Sequence, residues 1–159
     1  MATGSLRSVP FFTSILRKYT NNIIDNPEKP QFQDIAEKFV KFYYEAFDGD
    51  RMALASLYKD QSMMTWQDYS TQGVGPIMEK LTTLPFSRVE HSLVMTAGED
   101  WTQAVKAQPS NAEGGILVNV SGRVLVDEER NALNYTQTFQ LMPDGQGSYF
   151  VFNDIFRLI

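Results

Sequence analysis

The last strand of the chain constrains its fold more than any other segment. Tyr149 to Leu158 reads Tyr-Phe-Val-Phe-Asn-Asp-Ile-Phe-Arg-Leu, a run rich in aromatic and β-branched residues with no glycine or proline inside it, which predicts a β-strand. Successive side chains of a strand point to opposite faces. Alternation therefore assigns Tyr149, Val151, Asn153, Ile155 and Arg157 to one face and Phe150, Phe152, Asp154, Phe156 and Leu158 to the other. Both faces are apolar. One layer of helices covers only one of them, and the chain has no helices to spare for the second, so a second copy of the chain is the expected cover. Tyr149, Val151 and Ile155 would then form a homodimer interface. The alternative is a strand curled enough for one core to take up both faces.

The segments before it supply the helical layer. From Phe32 to Phe47, Phe32, Ile35, Ala36, Phe39, Val40, Tyr43, Ala46 and Phe47 recur at spacings of three and four among charged residues, the pattern of an amphipathic helix. Gly49 is its expected stop. Asp50 is the N-cap of a second, shorter helix in which Met52, Leu54, Ala55, Leu57 and Tyr58 supply the buried side. Ser62–Trp66 reads as a short strand, and Gly75-Pro76 opens a third helix, Ile77 to Leu84, closed by Pro85. After Arg88 come strand-like runs at 89–95, 116–126, 133–142 and 148–158, separated by the acidic turn Asp127-Glu128-Glu129-Arg130-Asn131 and the Pro143–Gly147 turn. Residues 97–115 read as a long surface loop. The sum is an α+β domain over residues 31–159, a curved antiparallel sheet packed on three helices, preceded by a flexible basic extension over residues 1–30.

Charge and composition narrow the function. Residues 1–30 carry four basic and two acidic side chains, a net of +2, while the body carries ten basic and seventeen acidic, a net of −7. Nucleic acids are held through basic side chains on phosphates, so this body argues against a nucleic-acid partner and for a protein with a basic face. Cysteine is absent and His91 is the single histidine. This excludes disulfides, thiolate chemistry, cysteine-based metal sites and any site that needs two imidazoles from one chain. No apolar run reaches the roughly 20 residues of a bilayer span. The first thirty residues share a basic, Ser/Thr-containing composition with organellar transit peptides. Pro10 and the Asn26-Pro27 and Lys29-Pro30 steps instead read as an extension and linker ahead of the folded body.

Two constellations carry chemistry. Asp48, Asp154 and His91 would, if a cone of sheet and helix brought them together, give an acid–base group of the dehydratase or isomerase kind, with apolar walls raising a carboxylate pKa. Trp66 with Gln67 and Asp68 at a strand end, together with Asp127-Glu128-Glu129, suggests a different site. It would be an aromatic hollow rimmed by acids, suited to a partner that offers an apolar anchor flanked by Lys or Arg.

Dispersed motifs then point to a family. Phe39-Val40-Lys41-Phe42-Tyr43-Tyr44, Phe47-Asp48-Gly49-Asp50-Arg51, Leu57-Tyr58, Thr65-Trp66, Glu79-Lys80-Leu81, Leu84-Pro85-Phe86, His91, Asp127-Glu128-Glu129 and Phe152-Asn153-Asp154-Ile155-Phe156-Arg157-Leu158 occur in one order over residues 32–159. In this the chain closely resembles the nuclear transport factor 2 family. The resemblance implies a cone-shaped fold, a homodimer formed through the open sheet, no catalysis and no cofactor. It also implies a carrier that moves the GDP-bound GTPase Ran between cytoplasm and nucleus through the nuclear pore. Carried over, the hollow that receives the GTPase's aromatic residue would include Trp66, Leu84, Val89, Phe156 and Leu158, with Asp127 and Glu129 at its rim. Phe32 takes the place of the aromatic that binds Phe-x-Phe-Gly repeats of nucleoporins, a position usually held by tryptophan. Gln67 stands where the family has a rim glutamate, leaving Asp68 as the nearest substitute charge. The same fold carries enzymes and adaptors, so a cavity dehydratase or isomerase and a heterodimeric RNA-export adaptor are the alternative readings.

Overall fold

A computed structural model describes residues 29–94 and 97–159. The long helix α1 spans Gln31–Asp48. It starts at Pro30, whose carbonyl accepts from the Gln33 and Asp34 amides, and stops at Gly49, whose amide returns to the Glu45 carbonyl. Its apolar stripe, with Ala36, Phe39, Val40, Tyr43 and Phe47 all buried, faces the sheet. Asp50 caps the next element by accepting from the Met52 amide, as its position predicts. That element, Arg51–Leu57, is a 3₁₀ helix and not an α-helix. Met52, expected on the buried side, is exposed, and the two residues this element buries, Leu54 and Leu57, are three apart, which matches the 3₁₀ period. After it come β1 (Met63–Trp66), β2 (Tyr69–Gln72) and α2 (Val74–Thr82). The second α-helix begins ahead of Gly75-Pro76 because Gly73, at φ +92°, makes the turn that starts it.

The remaining strands are β3 (Val89–Ser92), β4 (Val105–Pro109), β5 (Ile116–Val126), β6 (Leu133–Pro143) and β7 (Tyr149–Leu158). Their order in the sheet is β2-β1-β7-β6-β5-β3, with β4 pairing the other half of the β5 edge. The sheet is curved, open and mixed: β1 runs parallel to β7, while every other pair is antiparallel. The parallel pair departs from a simple meander: β1 lies beside β7, and the chain between them passes through β2, α2 and then β3 to β6. β4 occupies a stretch expected as loop, and β2 lies in the interval between the Ser62–Trp66 strand and Gly75-Pro76, to which the pattern assigns no element. Their sequences, Tyr-Ser-Thr-Gln and Val-Lys-Ala-Gln-Pro, bury a single side chain between them, Val105, and so carry almost no alternation signal. What fixes β4 is its partners. The Gln33 side chain of α1 donates to the Val105 carbonyl at 3.0 Å and accepts from the Ala107 amide at 3.0 Å.

A bulge corrects the face assignment of β7. Gln140 pairs with Asn153 but Leu141 pairs with Val151, so Phe152 is the extra residue and the alternation changes phase there. Val151 is fully buried and Tyr149 packs on the core, on the same side as Asp154 and Phe156. Tyr149 and Val151 therefore do not share a face with Ile155. The outer face presents Ile155, Phe152 and Leu117, all exposed, around a polar lattice. In that lattice the Asn119 amide donates to Thr138 Oγ1 at 3.1 Å and the Asn153 amide to Gln140 Oε1 at 2.9 Å. None of the described helices is long and apolar enough to cross a membrane. The basic extension lies outside the described residues except for Lys29 and Pro30.

Candidate functional site

Where the C-terminal end of α1 meets the ends of β1 and β7, the core opens into a cavity of about 210 Å³ with an almost wholly apolar lining. Its back wall is a stack of rings. Trp66 lies parallel to Phe156 with ring centroids 4.0 Å apart and parallel to Phe47 at 5.9 Å, and Phe156 continues onto Tyr135 at 5.4 Å. Parallel pairing of β1 with β7 creates the closest of these contacts, because Trp66 is in register with Phe156. Leu84, Pro85 and Phe86 form the facing wall, with Val89, Val124, Val126, Leu133 and Leu158 around the mouth.

The segment 84–88 has no regular structure, and two side chains hold it in place. Arg51 donates to the Leu81 carbonyl at 2.9 Å and the Phe47 carbonyl at 3.3 Å, and its guanidinium lies 4.8 Å from the Phe47 ring centroid and 5.1 Å from that of Phe86. This cation–π sandwich pins one wall to the other. On the far side, Asp127 sits at φ +49°, a conformation that aspartate tolerates better than most residues. One carboxylate oxygen there accepts from the Ser87 amide at 2.8 Å and the Arg88 amide at 2.9 Å. The acidic turn thus fastens the loop that carries Leu84, Pro85 and Phe86, and Asp127 itself is exposed next to the lining residue Val126.

His91 forms the inner end of the cavity. Its side chain is 2% exposed, and Nδ1 lies 2.6 Å from Asp48 Oδ1. The other Asp48 oxygen accepts from the His91 amide at 2.8 Å. Tyr44, Phe47 and Tyr135 pack around the imidazole. Asp154 is not part of this group. It is buried on the other side of the ring stack, where it accepts from Tyr58 Oη at 2.7 Å, Gln137 Nε2 at 2.8 Å and Tyr43 Oη at 3.4 Å. Burial pushes its carboxyl up to about 6 against the lowering effect of those three donors. An acid–base trio of His91, Asp48 and Asp154 does not form. Among the described residues no group of three or more His, Asp or Glu side chains is placed to hold a metal ion.

Of the residues singled out from the sequence, Trp66, Leu84, Val89, Phe156 and Leu158 all line this one cavity. Gln67 and Asp68 form the two-residue turn between β1 and β2 and are not part of the lining. Gln67, at φ +56°, folds back so that its side-chain oxygen accepts from the Leu158 amide at 2.9 Å, which closes the end of β7. Asp68 is exposed and lies 3.8 Å from Arg157. Glu129 is exposed in the acidic turn, its amide bonded to the Val126 carbonyl at 3.1 Å. Phe32 is half-buried in the first turn of α1, fifteen residues from Phe47 and thus roughly 22 Å along the helix axis from the cavity. The sequence reading missed Phe47, Pro85, Phe86, Val124, Val126 and Leu133 as lining residues. Phe47 lies on α1, Pro85 and Phe86 in the segment 84–88, and the other three on β5 and β6, and nothing in their spacing marks which apolar residues border a hollow.

Residues 35–158 match the model of the nuclear transport factor 2 domain. Nuclear transport factor 2 of Emericella nidulans is 58% identical over 128 residues, which is 80% of this chain and 95% of that protein. The structure of nuclear transport factor 2 from Cryptosporidium parvum superposes with a TM-score of 0.71 at 40% identity, covering 82% of this chain and 97% of that one. A structure of the Candida albicans Mtr2–Mex67 M domain complex shares the fold at 14% identity, with a TM-score of 0.64 over 80% of this chain and 94% of that one. The chain belongs to the nuclear transport factor 2 family.

Proposed function

We propose that this protein is a nuclear transport carrier that binds the GDP-bound form of the small GTPase Ran at the cavity described above. The observation that carries this reading is an open, aromatic-walled hollow of about 210 Å³ beside a carboxylate turn. An apolar side chain of a partner fits such a hollow, and basic side chains next to it fit the turn. Trp66, Leu84, Val89, Phe156 and Leu158 would contact the anchor residue. Asp127 and Glu129 would meet the basic residues, with Asp68 at the outer edge. Gln67 supports the site from behind through its bond to Leu158 and brings no charge to the rim.

Two further surfaces belong to this reading. Phe32, half-buried at the start of α1, is the proposed contact for nucleoporin Phe-x-Phe-Gly repeats. Ile155, with Phe152 and Leu117 on the outer sheet face, is the proposed centre of a homodimer. Such a carrier would cycle between cytoplasm and nucleus through the nuclear pore. A cavity enzyme is the weaker reading, because Asp154, whose carboxyl pKa burial raises, is not among the residues that line the hollow. The deciding experiment is a titration of the purified chain with Ran loaded with GDP and then with GTP. Binding of the GDP form alone supports the carrier, and binding of neither removes Ran from the proposal.

A further inference from the structure

Among the residues that line the cavity, only Trp66 and His91 carry a polar side-chain atom, and an indole can only donate. His91 is therefore the one side-chain acceptor in an otherwise apolar hollow. Its imidazole is 2% exposed and held by Asp48 at Nδ1 and by the rings of Tyr44, Phe47 and Tyr135. The Asp48 carboxylate has only lone pairs to offer, so the proton of that contact sits on Nδ1 and the neutral ring presents a lone pair at Nε2.

Among the described residues nothing bonds Nε2, since both hydrogen bonds of His91 go to Asp48 through its amide and Nδ1. Nor is Nε2 one of the fully sealed side-chain atoms left without a partner, which are Ser110 Oγ, Tyr135 Oη and Ser148 Oγ. It therefore borders open space. Asp48 lines a separate depression with Val40, Lys41, Tyr44 and Glu45 and takes no part in the cavity, whereas His91 borders both. The ring edge that faces Asp48 belongs to that depression, and the opposite edge, which carries Nε2, belongs to the cavity.

The lining selects the chemistry of an occupant. An apolar cavity of about 150 Å³ holds benzene, so 210 Å³ takes one aromatic ring with small substituents. No cationic or anionic side chain lines the hollow. An ammonium or a carboxylate would lose its hydration there without a counter-charge, and an anion would also meet the Asp48 charge behind the imidazole. What remains is a neutral ring with one donor, and a phenolic hydroxyl is a stronger donor than an aliphatic one. The walls are set within one chain, because Arg51 and Asp127 pin the segment 84–88.

We propose that the free chain binds a small neutral phenol in this cavity. Its ring lies between the Trp66–Phe156 wall and the Leu84–Phe86 wall, and its hydroxyl donates to His91 Nε2. Asp48 is a positioning residue that fixes the tautomer and the ring. The proposal goes beyond the carrier reading and does not rest on it, although a bound phenol takes the space that a partner's anchor residue would fill. A partner's tyrosine offers the same group; the free molecule is the proposed source because the hollow is complete without a partner.

The chain has a single histidine, so a long-range proton–nitrogen correlation spectrum of the untagged, isotope-labelled protein shows one imidazole. The probe is p-cresol, and p-xylene is the molecule of the same shape with no donor. p-Cresol should bind with a dissociation constant on the order of 1 mM. It should move the Nε2 resonance while Nδ1 stays in place, and its ring protons should show contacts to Trp66 and Phe156. p-Xylene should show the same contacts and leave Nε2 unmoved. His91→Asn keeps an amide to donate to Asp48 and has no atom at the Nε2 position. In that variant p-cresol should bind about 10-fold more weakly, with p-xylene within about twofold of wild type. Should the variant not fold, the two probes on the wild-type chain decide alone. Equal Nε2 responses to the two probes, or p-cresol without contacts to Trp66 and Phe156, would overturn the proposal. Contacts from N-acetyltyrosinamide but not from p-cresol would assign the site to a partner's tyrosine and overturn it as well.

Discussion

At the scale of single residues, Asp154 and Asp127 use the same functional group in opposite ways. Asp154 is fully buried with three donors around it, and burial still raises its carboxyl from 3.8 to about 6. A folded-state pKa above the unfolded one favours folding most at low pH, where the group is protonated in both states. That advantage disappears as pH rises through 6. The shift of about two units corresponds to roughly 3 kcal/mol. Asp154→Asn keeps an oxygen to accept from Gln137 and turns its amide toward Tyr58, whose hydroxyl can rotate to accept. The expected outcome is that wild type, compared with Asp154→Asn in chemical unfolding, loses stability progressively between pH 4 and pH 6 while the variant shows no such step. A wild-type-minus-variant difference that does not change with pH would refute the assignment. Asp127 by contrast is exposed, and one of its oxygens fastens Ser87 and Arg88. Asp127→Asn keeps that acceptor and removes only the charge. Affinity for Ran-GDP should fall by about 5- to 30-fold, with the melting temperature unchanged, whereas Asp127→Lys should lose both the charge and the loop anchor. Equal affinities for wild type and the asparagine variant, measured calorimetrically at low salt, would take this carboxylate out of the partner contact.

At the scale of elements, what was legible in the sequence follows how much each segment buries. α1, β5, β6 and β7 carry strong periodicity, and the structure places them within a residue or two of where the pattern puts them. The Asp50 cap was legible for the same reason, since the local chemistry fixes it. β2 and β4 were not, because they bury almost nothing and exist through hydrogen bonds to β1, β5 and Gln33. The Phe152 bulge was also invisible. A strand apolar on both faces reads the same in either phase, so neither Tyr149 nor Val151 could be sorted from Ile155 by alternation alone. In the cavity, residues named through their motifs came together, and those that look like routine core did not stand out. Gly122 shows how tightly β5 and β6 define the wall. A Cβ added there would lie 2.8 Å from Tyr135 Oη and 2.9 Å from the Ser92 carbonyl. One of those neighbours is backbone, so Tyr135 must give way and move against Phe156. Gly122→Ala should cost about 1–3 kcal/mol in urea unfolding and weaken partner binding along with it. Retained stability would mean that the wall yields more readily than the contacts indicate.

At the scale of the whole molecule, the proposed dimer rests on the open face of the sheet. Ile155 is 49% exposed on a strand in the middle of the sheet, flanked in register by Thr65 on β1 and Thr138 on β6. Phe152 and Leu117 are exposed with it, while the helices lie on the other face. Within the polar lattice the Asn119 amide donates to Thr138 and the Asn153 amide to Gln140. A copy of the same face carries the same amide donors and acceptors, so a twofold contact can pair the remaining ones across the interface. Ile155→Lys places an ammonium where two copies would meet across their twofold axis, and the charge has no partner there. Removing such a charge from water costs several kcal/mol. The dissociation constant of the dimer should rise at least about 100-fold, and light scattering should report one chain mass where wild type reports two. The side chain points away from the core, so the variant should keep its near-ultraviolet circular dichroism, and with it the cavity. Binding of Ran-GDP per chain should then persist in the monomeric variant, because Ile155 is not among the residues that line the cavity. A wild type that is monomeric at micromolar concentration, or a variant that still dimerises, would show that the sheet face is covered in some other way.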